Sequence, residues 1–345
     1  TPEMASVAVV PSEGKSNPVM RSGRSNRGSP APANAPSATM RKRARGSLST
    51  RAPAYAGFDV AAHHGDAETA LGDVLQLPHV RRAHPRASYE LLARCGRDHD
   101  DAGRVSWDAD RVRASLHTTL ANLQTAYVDT YFLFDLEYAT PEQWRAELPA
   151  TLEYLATQRR CGVVRRIGLA CYPRTTGRQV LRCVPAATML VDTVLCYGHT
   201  TMLHALDASV DTTVTTTACA LDALCEGADA LPAHVRLLDG APLALGQLRG
   251  RTWPLHPMAT PSTFARDLGN AWPTYVHEWE ARLRARDGRS LAELAVDYTV
   301  SRTVASGVVV GAASVAEVAM ATRAWRGVEL REWEVVGGEG VRRVE

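Results

Sequence analysis

The segment SWDADRVRASLHTTLANLQTAYVDTYFLF, residues 106–134, contains one complete helix-to-strand unit. Four of its apolar residues recur at helical spacing, which predicts an amphipathic helix over residues 106–124: Val112, Leu116, Leu120 and Leu123. Ser106 precedes this pattern and is the predicted N-cap, because its hydroxyl can accept a bond from the first helical turn. The apolar run at 128–134 is typical of a buried strand. The unit therefore indicates an α/β fold with parallel strands.

The same alternation continues on both sides of this unit, with further helices expected at residues 141–158 and 290–302. Strands are expected at residues 56–60, 88–93, 128–134, 164–170, 189–196, 236–243 and 307–312. Seven strands with crossover helices over about 270 residues favour a (β/α)8 TIM barrel over an open doubly wound sheet. No glycine-rich dinucleotide fingerprint follows a strand, which agrees with that choice. For the first strand only VAVV (7–10) is available, so this strand is degenerate or the barrel is incomplete.

The charges divide the chain into two unlike parts. The 345 residues include 39 basic and 37 acidic ones, a net charge of +2. Residues 1–58 hold nine basic and two acidic residues, or +7, which leaves −5 for residues 59–345. The two lysines are Lys15 and Lys42. A mechanism that needs a lysine in the folded body is therefore excluded.

The basic N-terminal part has the composition of a segment without its own core. Residues 14–58 contain no Asp or Glu and are rich in Arg, Ser, Ala, Pro and Gly. We interpret residues 1–54 as a low-complexity extension, 55–330 as the barrel and 331–345 as a tail. The extension is open to three interpretations: a disordered tail, an organellar targeting segment, or a contact with RNA or protein through MRKRARG (40–46). Its composition favours a mitochondrial protein, and otherwise a cytoplasmic one.

Neither the cysteines nor the apolar runs point to a special class of protein. The seven cysteines form no C-x-x-C pair and lie in apolar segments, so we expect reduced thiols rather than disulfides or a zinc site. His63 and His64 lie near Asp66 and Glu68, but no third ligand has a suitable spacing, and we expect no metal site. The uncharged run 303–316 is too short to span a bilayer, so no transmembrane segment is expected.

Several segments in register resemble the aldo-keto reductases, in particular their L-galactose dehydrogenase-like branch. FDVAAHHGDAETALG (58–72) is similar to the family's F-D-T-A-x-x-Y-G-x-S-E-x-x-L-G, and YELLARCGR (89–97) to a strand ending A-T-K-C-G-R. The segment at 111–143 is similar to S-L-x-x-S-L-x-R-L-x-x-D-Y-V-D-L-x-x-x-H-D-x-E. GVVRRIGLACYP, VDTVLCYGH, GAPLALGQL and SGVVVGAASVAEV follow in the family's order. The resemblance covers about residues 55–325 and implies the barrel fold.

The resemblance also implies a reaction that this chain is poorly equipped to perform. Members of the family transfer a hydride from NADPH to a carbonyl, with a Tyr as general acid, a Lys and an Asp that tune it, and a His that orients the substrate. The Asp is retained as Asp59, whereas the Tyr position is His64, the Lys position Arg94 and the His position Phe134. A guanidinium beside His64 disfavours the cationic imidazole that would have to act as the acid. The phenyl ring of Phe134 cannot hydrogen-bond a carbonyl.

The implied cofactor positions have changed as well. The Ser/Thr–Asn pair that holds the nicotinamide amide is Ala170–Cys171, and the Ser before the pyrophosphate loop is Ala241. In the C-terminal stretch some positions are kept and others replaced: Gly311 and Ser314 remain, Glu317 replaces Gln, and Ala321 replaces Asn. A carboxylate near a 2′-phosphate is unfavourable. We expect no bound cofactor, with weak NADP binding as the most that remains.

These observations favour a catalytically inactive, aldo-keto-reductase-like accessory subunit of a larger assembly, such as a mitochondrial respiratory complex or mitoribosome. Residues 1–58 would contact the other protein subunits. The alternative is an active NAD(P)-dependent oxidoreductase of a sugar or small carbonyl compound with His64 as the acid, and a third hypothesis is a free regulatory or RNA-binding protein. We expect His199 and His204 to be surface residues and 253–261 to be a loop near the barrel mouth. The threonine-rich stretch 209–221 suggests no mechanism.

Overall fold

The barrel is built from eight strands that close on themselves in chain order. The computed structural model describes residues 6–9, 57–97, 105–171, 174–197, 201, 231–249, 288–302, 305–312, 314–326, 332–336 and 340–344. The barrel strands are β1 Ser6–Val9, β2 Gly57–Asp59, β3 Glu90–Cys95, β4 Val128–Phe134, β5 Val164–Cys171, β6 Thr193–Tyr197, β7 Arg236–Gly240 and β8 Gly307–Gly311. Strands β2 to β8 are parallel. The predicted TIM-barrel fold is confirmed.

The first strand differs from the other seven in direction. β1 lies between β2 and β8 and runs antiparallel to both, with Val7 opposite Phe58 on one side and Val310 on the other. The sequence left open whether VAVV supplies a degenerate strand or the barrel is incomplete. The structure places residues 6–9 in the ring, so residues from the N-terminal extension close it.

Eight helices accompany the strands in the described part of the chain. They are α1 Ala67–Gln76, α2 Pro78–Ala83, α3 Ala109–Asn122, α4 Pro141–Arg160, α5 Arg174–Cys183, α6 Pro185–Leu190, α7 Leu291–Arg302 and α8 Val315–Arg326. Short 3₁₀ turns occur at Arg86–Ser88, Leu136–Tyr138 and Ala244–Arg249. β6 begins at Thr193, later than predicted, because the apolar residues before it form α6.

The predicted N-cap of α3 is wrong. Helix α3 begins at Ala109, and the Asp108 side chain accepts bonds from the backbone N–H groups of Asp110 and Arg111. The Ser106 hydroxyl instead accepts from the Asp108 N–H and so shapes the approach to the helix. A carboxylate is well placed there, because it also interacts favourably with the positive end of the helix dipole.

The strands separate two apolar layers. Residues that point outward pack against the helices, as Leu91, Tyr131 and Ile167 do. Alternate residues point inward and fill the barrel, among them Leu92, Phe132, Phe134, Ala170, Leu195, Tyr197, Leu238 and Val309. The side-chain period of two in a strand produces this division. The interior is therefore a packed core, and ligand chemistry is confined to the end where the parallel strands terminate.

A second sheet lies at the C-terminus, within the segment predicted as a tail. β9 Glu332–Val336 pairs antiparallel with β10 Gly340–Val344. None of the described helices is both long and apolar enough to cross a bilayer. Among the described cysteines, Cys95, Cys171 and Cys196 are buried thiols, Cys183 is half-buried and Cys161 is exposed.

Candidate functional site

The four positions that the resemblance implies for catalysis lie at the end of the barrel where the parallel strands terminate, which we call the mouth. Asp59 is the last residue of β2, Arg94 lies near the end of β3, and Phe134 ends β4. His64 lies in the turn between β2 and α1, where its backbone N–H donates to the backbone carbonyl of Ala61 at 2.9 Å. The structure therefore brings together the four positions that the sequence singled out.

A buried ion pair lies at the centre of the mouth. The Nη2 of Arg94 donates to the Oδ2 of Asp59, and the two side chains are 5% and 1% exposed. The Nη1 of the same guanidinium donates to the phenol oxygen of Tyr197 at 2.6 Å. Burial raises the pKa of the Asp59 carboxyl above its ordinary value, and the Arg94 charge and hydrogen bond offset part of that rise. The carboxylate thus depends on Arg94 for its charge stabilisation.

Aromatic rings cover this ion pair. The guanidinium carbon of Arg94 lies 4.8 Å from the ring centroid of Phe134. The ring of His63 stacks on Phe134 with a centroid distance of 5.3 Å and an interplanar angle of 6°. His64 meets His63 edge to face at 4.5 Å. The planar groups of His63, Phe134 and Arg94 thus form a layered column, which we call the mouth column.

The residues after β4 hold Phe134 in place. The Trp107 indole donates to the Phe134 carbonyl at 3.1 Å. Asp135 has a left-handed backbone, with φ of 62°, and its carboxylate accepts from Arg97 Nε at 2.6 Å. Asp tolerates this conformation better than most residues. The turn therefore fixes the ring of Phe134 in the mouth column.

Tyr197 belongs to the site although the sequence analysis did not single it out. It is the last residue of β6, is 8% exposed, and meets Phe134 edge to face at 6.2 Å. Gly240 on β7 makes room for it, since a Cβ there would lie 2.6 Å from the tyrosine ring. The available signal was the alternation in TVLCY, which places Tyr197 on the same inward face as Leu195.

The positions implied for the nicotinamide carry no amide or hydroxyl group. Ala170 is fully buried in the barrel interior and offers only a methyl group. Cys171 is also fully buried, and it pairs in register with Cys196 of the next strand. A hydrogen bond with the Cys196 side chain, together with burial, raises the pKa of Cys171 well above its ordinary value. Neither residue resembles a nicotinamide-binding side chain.

The positions implied for the phosphates are occupied by an internal ion pair. Ser314 caps α8, and its hydroxyl accepts from the Glu317 N–H at 3.3 Å. The Glu317 carboxylate accepts from Arg249, at the end of the turn that follows β7. Ala321 is 2% exposed and Ala241 has a left-handed backbone with φ of 53°. A phosphate bound here would have to compete with Glu317 for the cation, so these residues do not fit NADPH.

Other predicted features fall outside the site or outside the described residues. His199, His204 and the segments 209–221 and 253–261 lie outside the residues that the structure describes. In the described ranges, His, Cys, Asp and Glu side chains form no group of three or more that could hold a metal ion. Glu68 of the metal hypothesis is bound instead by Thr119, whose hydroxyl donates to it at 2.9 Å, and by Asn122 at 3.1 Å.

Comparison with known proteins agrees with this architecture. Residues 51–217 match the sequence model of the Aldo/keto reductase family. Over this stretch, just under half of its length, the chain is similar to the aldo/keto reductases. Over 267 residues the chain is 28% identical to the L-galactose dehydrogenase of Arabidopsis thaliana, with 76% of this chain and 70% of that protein covered. Over 116 residues it is 28% identical to the D-arabinose 1-dehydrogenase of Saccharomyces cerevisiae, with 34% and 32% covered.

Two solved structures also align with the chain. An aldo-keto reductase from Bacillus halodurans gives a TM-score of 0.48 at 16% identity. A glycerol dehydrogenase from Gluconobacter oxydans gives a TM-score of 0.49 at 13% identity. Each alignment covers 79% of this chain and 76% of the other. On the family match and its own barrel, the protein is an aldo-keto-reductase-like oxidoreductase.

Proposed function

We propose that this aldo-keto-reductase-like protein is a pseudoenzyme that serves as an accessory subunit of a larger, mitochondrial assembly. The observation that carries the proposal is the mouth column. Arg94 directs its two terminal nitrogens at Asp59 and Tyr197, and its guanidinium lies against Phe134. A carbonyl substrate needs a hydrogen-bond donor at the position where the Phe134 ring lies.

The cofactor positions support the same conclusion independently. Hydride transfer requires the nicotinamide to be held firmly next to the substrate carbon. Ala170 and Cys171 provide no polar side chain for its amide, and Arg249 is already paired with Glu317. Two separate parts of the site, the mouth column and the cofactor positions, have therefore lost their ligand-binding groups.

The accessory role rests on the N-terminal charge. Residues 1–58 carry +7 and the rest of the chain −5, so the extension is suited to bind an acidic partner subunit. Its arginine-rich, acid-poor composition favours the mitochondrion. This part of the proposal predicts that the full-length protein co-fractionates with a mitochondrial complex and that removal of residues 14–54, which keeps β1 in the barrel, releases it.

An active sugar or small-carbonyl oxidoreductase is the rival function. The observation that favours it is the pair of Asp59 and Arg94, which keeps a buried cation 2.6 Å from a phenol. The names of two relatives, L-galactose dehydrogenase and D-arabinose 1-dehydrogenase, indicate sugars as substrates to test. In the described contacts the cation meets Tyr197, whereas His64 contacts His63.

The deciding experiment measures both binding and turnover on the purified full chain. NADPH and NADP are titrated at micromolar concentrations, followed by nucleotide fluorescence and calorimetry. L-galactose, D-arabinose and small aldehydes are then offered with the matching cofactor. The proposal predicts no saturable nucleotide binding and no cofactor-dependent turnover, while a catalytically competent family member run in parallel gives both.

Turnover by the wild-type chain would overturn the pseudoenzyme proposal, provided that it is lost in Asp59→Asn. Two further variants would then identify the acid. Loss of activity in His64→Ala supports the imidazole, and loss in Tyr197→Phe supports the phenol. Circular dichroism and thermal unfolding of each variant distinguish a lost acid from a lost fold.

A further inference from the structure

The end of the barrel opposite the mouth, which we call the base, is unusually basic. We define it as the last turn of each helix that lies between two barrel strands, the loop that follows that helix, and the first three residues of the next barrel strand. Its described side chains include nine arginines, namely Arg81, Arg82, Arg86, Arg159, Arg160, Arg165, Arg166, Arg182 and Arg236. Its carboxylates are Asp73, Glu90, Asp129 and Asp192.

The base therefore carries a charge opposite to that of the other side chains that the structure describes in the barrel. Nine arginines and four carboxylates give the base +5, whereas nine arginines and fourteen carboxylates give the other described side chains −5. Helix dipoles explain only part of this separation of charge, because they favour cations only in the last turn of a helix. Arg165, Arg166 and Arg236 lie on strands instead.

Carboxylates neutralise some of these arginines and leave others facing solvent. Glu90 pairs with Arg166 at 2.6 Å and with Arg236 at 3.1 Å. Arg166 and Arg236 are only 17% and 15% exposed, so they belong to the structure of the base. Arg81 and Arg82 lie in the last turn of α2 and are exposed. The exposed arginines make the base a positive surface open to an anionic partner.

Planar groups are stacked at one side of this surface. The ring of Tyr127 lies between two guanidiniums, with Arg86 at 3.9 Å and Arg165 at 4.0 Å from its centroid. Asp129 holds both arginines, at 2.7 Å and 3.1 Å. Arg86 is 22% exposed and Arg165 is 50% exposed. The guanidinium of Arg165 thus extends the stack toward solvent, where an unpaired base can stack on an arginine plane.

A cleft of about 370 Å³ adjoins the stack. Its lining includes Arg81, His84, Arg86, Tyr89 and Tyr127. Cationic and aromatic groups in one concave site suit a phosphate with its attached nucleoside. A flat anionic membrane would not use such a cleft, and an acidic peptide has no planar base to stack on Arg165.

The connection between β1 and β2 leaves and re-enters the described barrel at the base. β2 enters the barrel at the base with Gly57, and the antiparallel β1 ends there with Val9. The residues between them, 10–56, include nine basic residues and one acidic residue. Because like charges repel, this segment cannot neutralise the base.

We propose that the base of the barrel binds single-stranded RNA, with phosphates on Arg81, Arg82 and Arg165 and a base stacked on the Arg165 guanidinium. The interaction surface lies at the end opposite the mouth and is independent of whether the mouth is catalytic. The charge separation, the Arg86–Tyr127–Arg165 stack and the adjoining cleft each support it.

The test measures binding of a fluorescent single-stranded RNA to the full chain by anisotropy over a range of salt concentrations. The triple variant Arg81→Gln, Arg82→Gln, Arg165→Gln should bind at least about tenfold more weakly. The slope of log affinity against log salt should fall by about 2, since each lost phosphate contact contributes about 0.7 for a single strand. Arg86, Arg166 and Arg236 are left unchanged because carboxylates hold them in the structure.

A matched control removes three exposed arginines that lie away from the base, Arg113, Arg145 and Arg323, which are 60%, 53% and 66% exposed. The proposal requires this variant to bind RNA as the wild type does, with both variants unfolding at the wild-type temperature. If the two variants lost the same amount of RNA affinity, the total charge of the protein and not the base would explain binding, and the proposal would be overturned. Absence of RNA binding, or stronger binding to anionic vesicles or a polyglutamate peptide, would also overturn it.

Discussion

The two ends of the barrel use arginine in opposite ways. At the mouth, Arg94 is 5% exposed and is enclosed by Asp59, Tyr197 and Phe134. At the base, a carboxylate such as Asp129 is buried, whereas its partner Arg165 is 50% exposed. The charged groups of the mouth are paired with one another and withdrawn from solvent, whereas the base presents charged groups to solvent. In barrels of this kind the mouth is the end where catalytic residues lie.

The largest effect is expected from breaking the ion pair at the mouth. Asp59→Ala should lower the free energy of unfolding by about 3–5 kcal/mol, because it leaves the guanidinium of Arg94 buried without its carboxylate. Urea denaturation followed by circular dichroism measures this loss. The double variant with Arg94→Met should be less destabilised than Asp59→Ala alone. A loss below about 1 kcal/mol in the single variant would contradict the picture of a closed mouth.

The equivalent change at the base should cost less. Asp129→Ala removes the partner of Arg86 and Arg165 and leaves the Leu91 N–H, which donates to Asp129 at 2.9 Å, without its acceptor. We expect a loss of about 2–3 kcal/mol, since water can solvate the half-exposed guanidiniums. Asp129→Asn keeps an acceptor for Leu91 and should lose less than Asp129→Ala. If Asp129→Ala were as costly as Asp59→Ala, the two ends would not differ in solvent access.

Glu68 is a buried carboxylate whose described hydrogen-bond partners are uncharged, in contrast to Asp59 and Asp129. Glu68 is 2% exposed and accepts bonds from Thr119 and Asn122, and burial raises its pKa above the ordinary value. The folded state therefore binds a proton at Glu68 more tightly than the unfolded state does. The stability gained from the protonated Glu68 is present in acid and is lost as pH rises through the raised pKa. Glu68→Gln should gain stability relative to the wild type as pH increases from acid to neutral, as measured by urea denaturation across pH. Glu68→Ala should be about 1–2 kcal/mol less stable than the wild type in acid, because Thr119 and Asn122 lose their acceptor, and this loss should shrink as pH rises.

The smallest effect is expected where both partners are exposed. Arg113 pairs with Asp110 at 2.8 Å, with side-chain exposures of 60% and 83%. Arg113→Gln should change the free energy of unfolding by less than about 0.5 kcal/mol, because solvent screens the pair. A larger loss in thermal or urea unfolding would mean that solvent exposure does not predict how much each ion pair contributes to the free energy of unfolding.

Local sequence pattern was enough to predict the order of elements. The strand at residues 128–134 and the helical spacing of Val112 and Leu116 follow from periods that neighbouring residues set. The sequence predicted less well those details that depend on a single hydrogen bond. The N-cap of α3 is Asp108, whereas the sequence pattern favoured Ser106. Two polar residues only two positions apart, with similar propensity for the N-cap, cannot be distinguished by propensity alone.

The partners of the mouth residues required the folded ring. Arg94 and Tyr197 are 103 residues apart and meet only because β3 and β6 face each other across the barrel interior. Similarly, His63 stacks on Phe134, although the family pattern directed attention to His64. The base surface also depends on the fold, since its arginines come from several separate connections between helices and strands.

The sequence by itself predicted the barrel, the resemblance to the aldo-keto reductases, the residues His64, Arg94 and Phe134 at positions that this resemblance implies for catalysis, and the division of charge between the extension and the body. Those properties follow from residue identity and from spacings of two or 3.6 residues, which are local. The tertiary structure decided that Arg94 is closed off by Asp59 and Tyr197, that β1 runs antiparallel, and that the arginines gather at the base. Closure of the ring sets these contacts, because it fixes which distant strand ends face one another across the same interior.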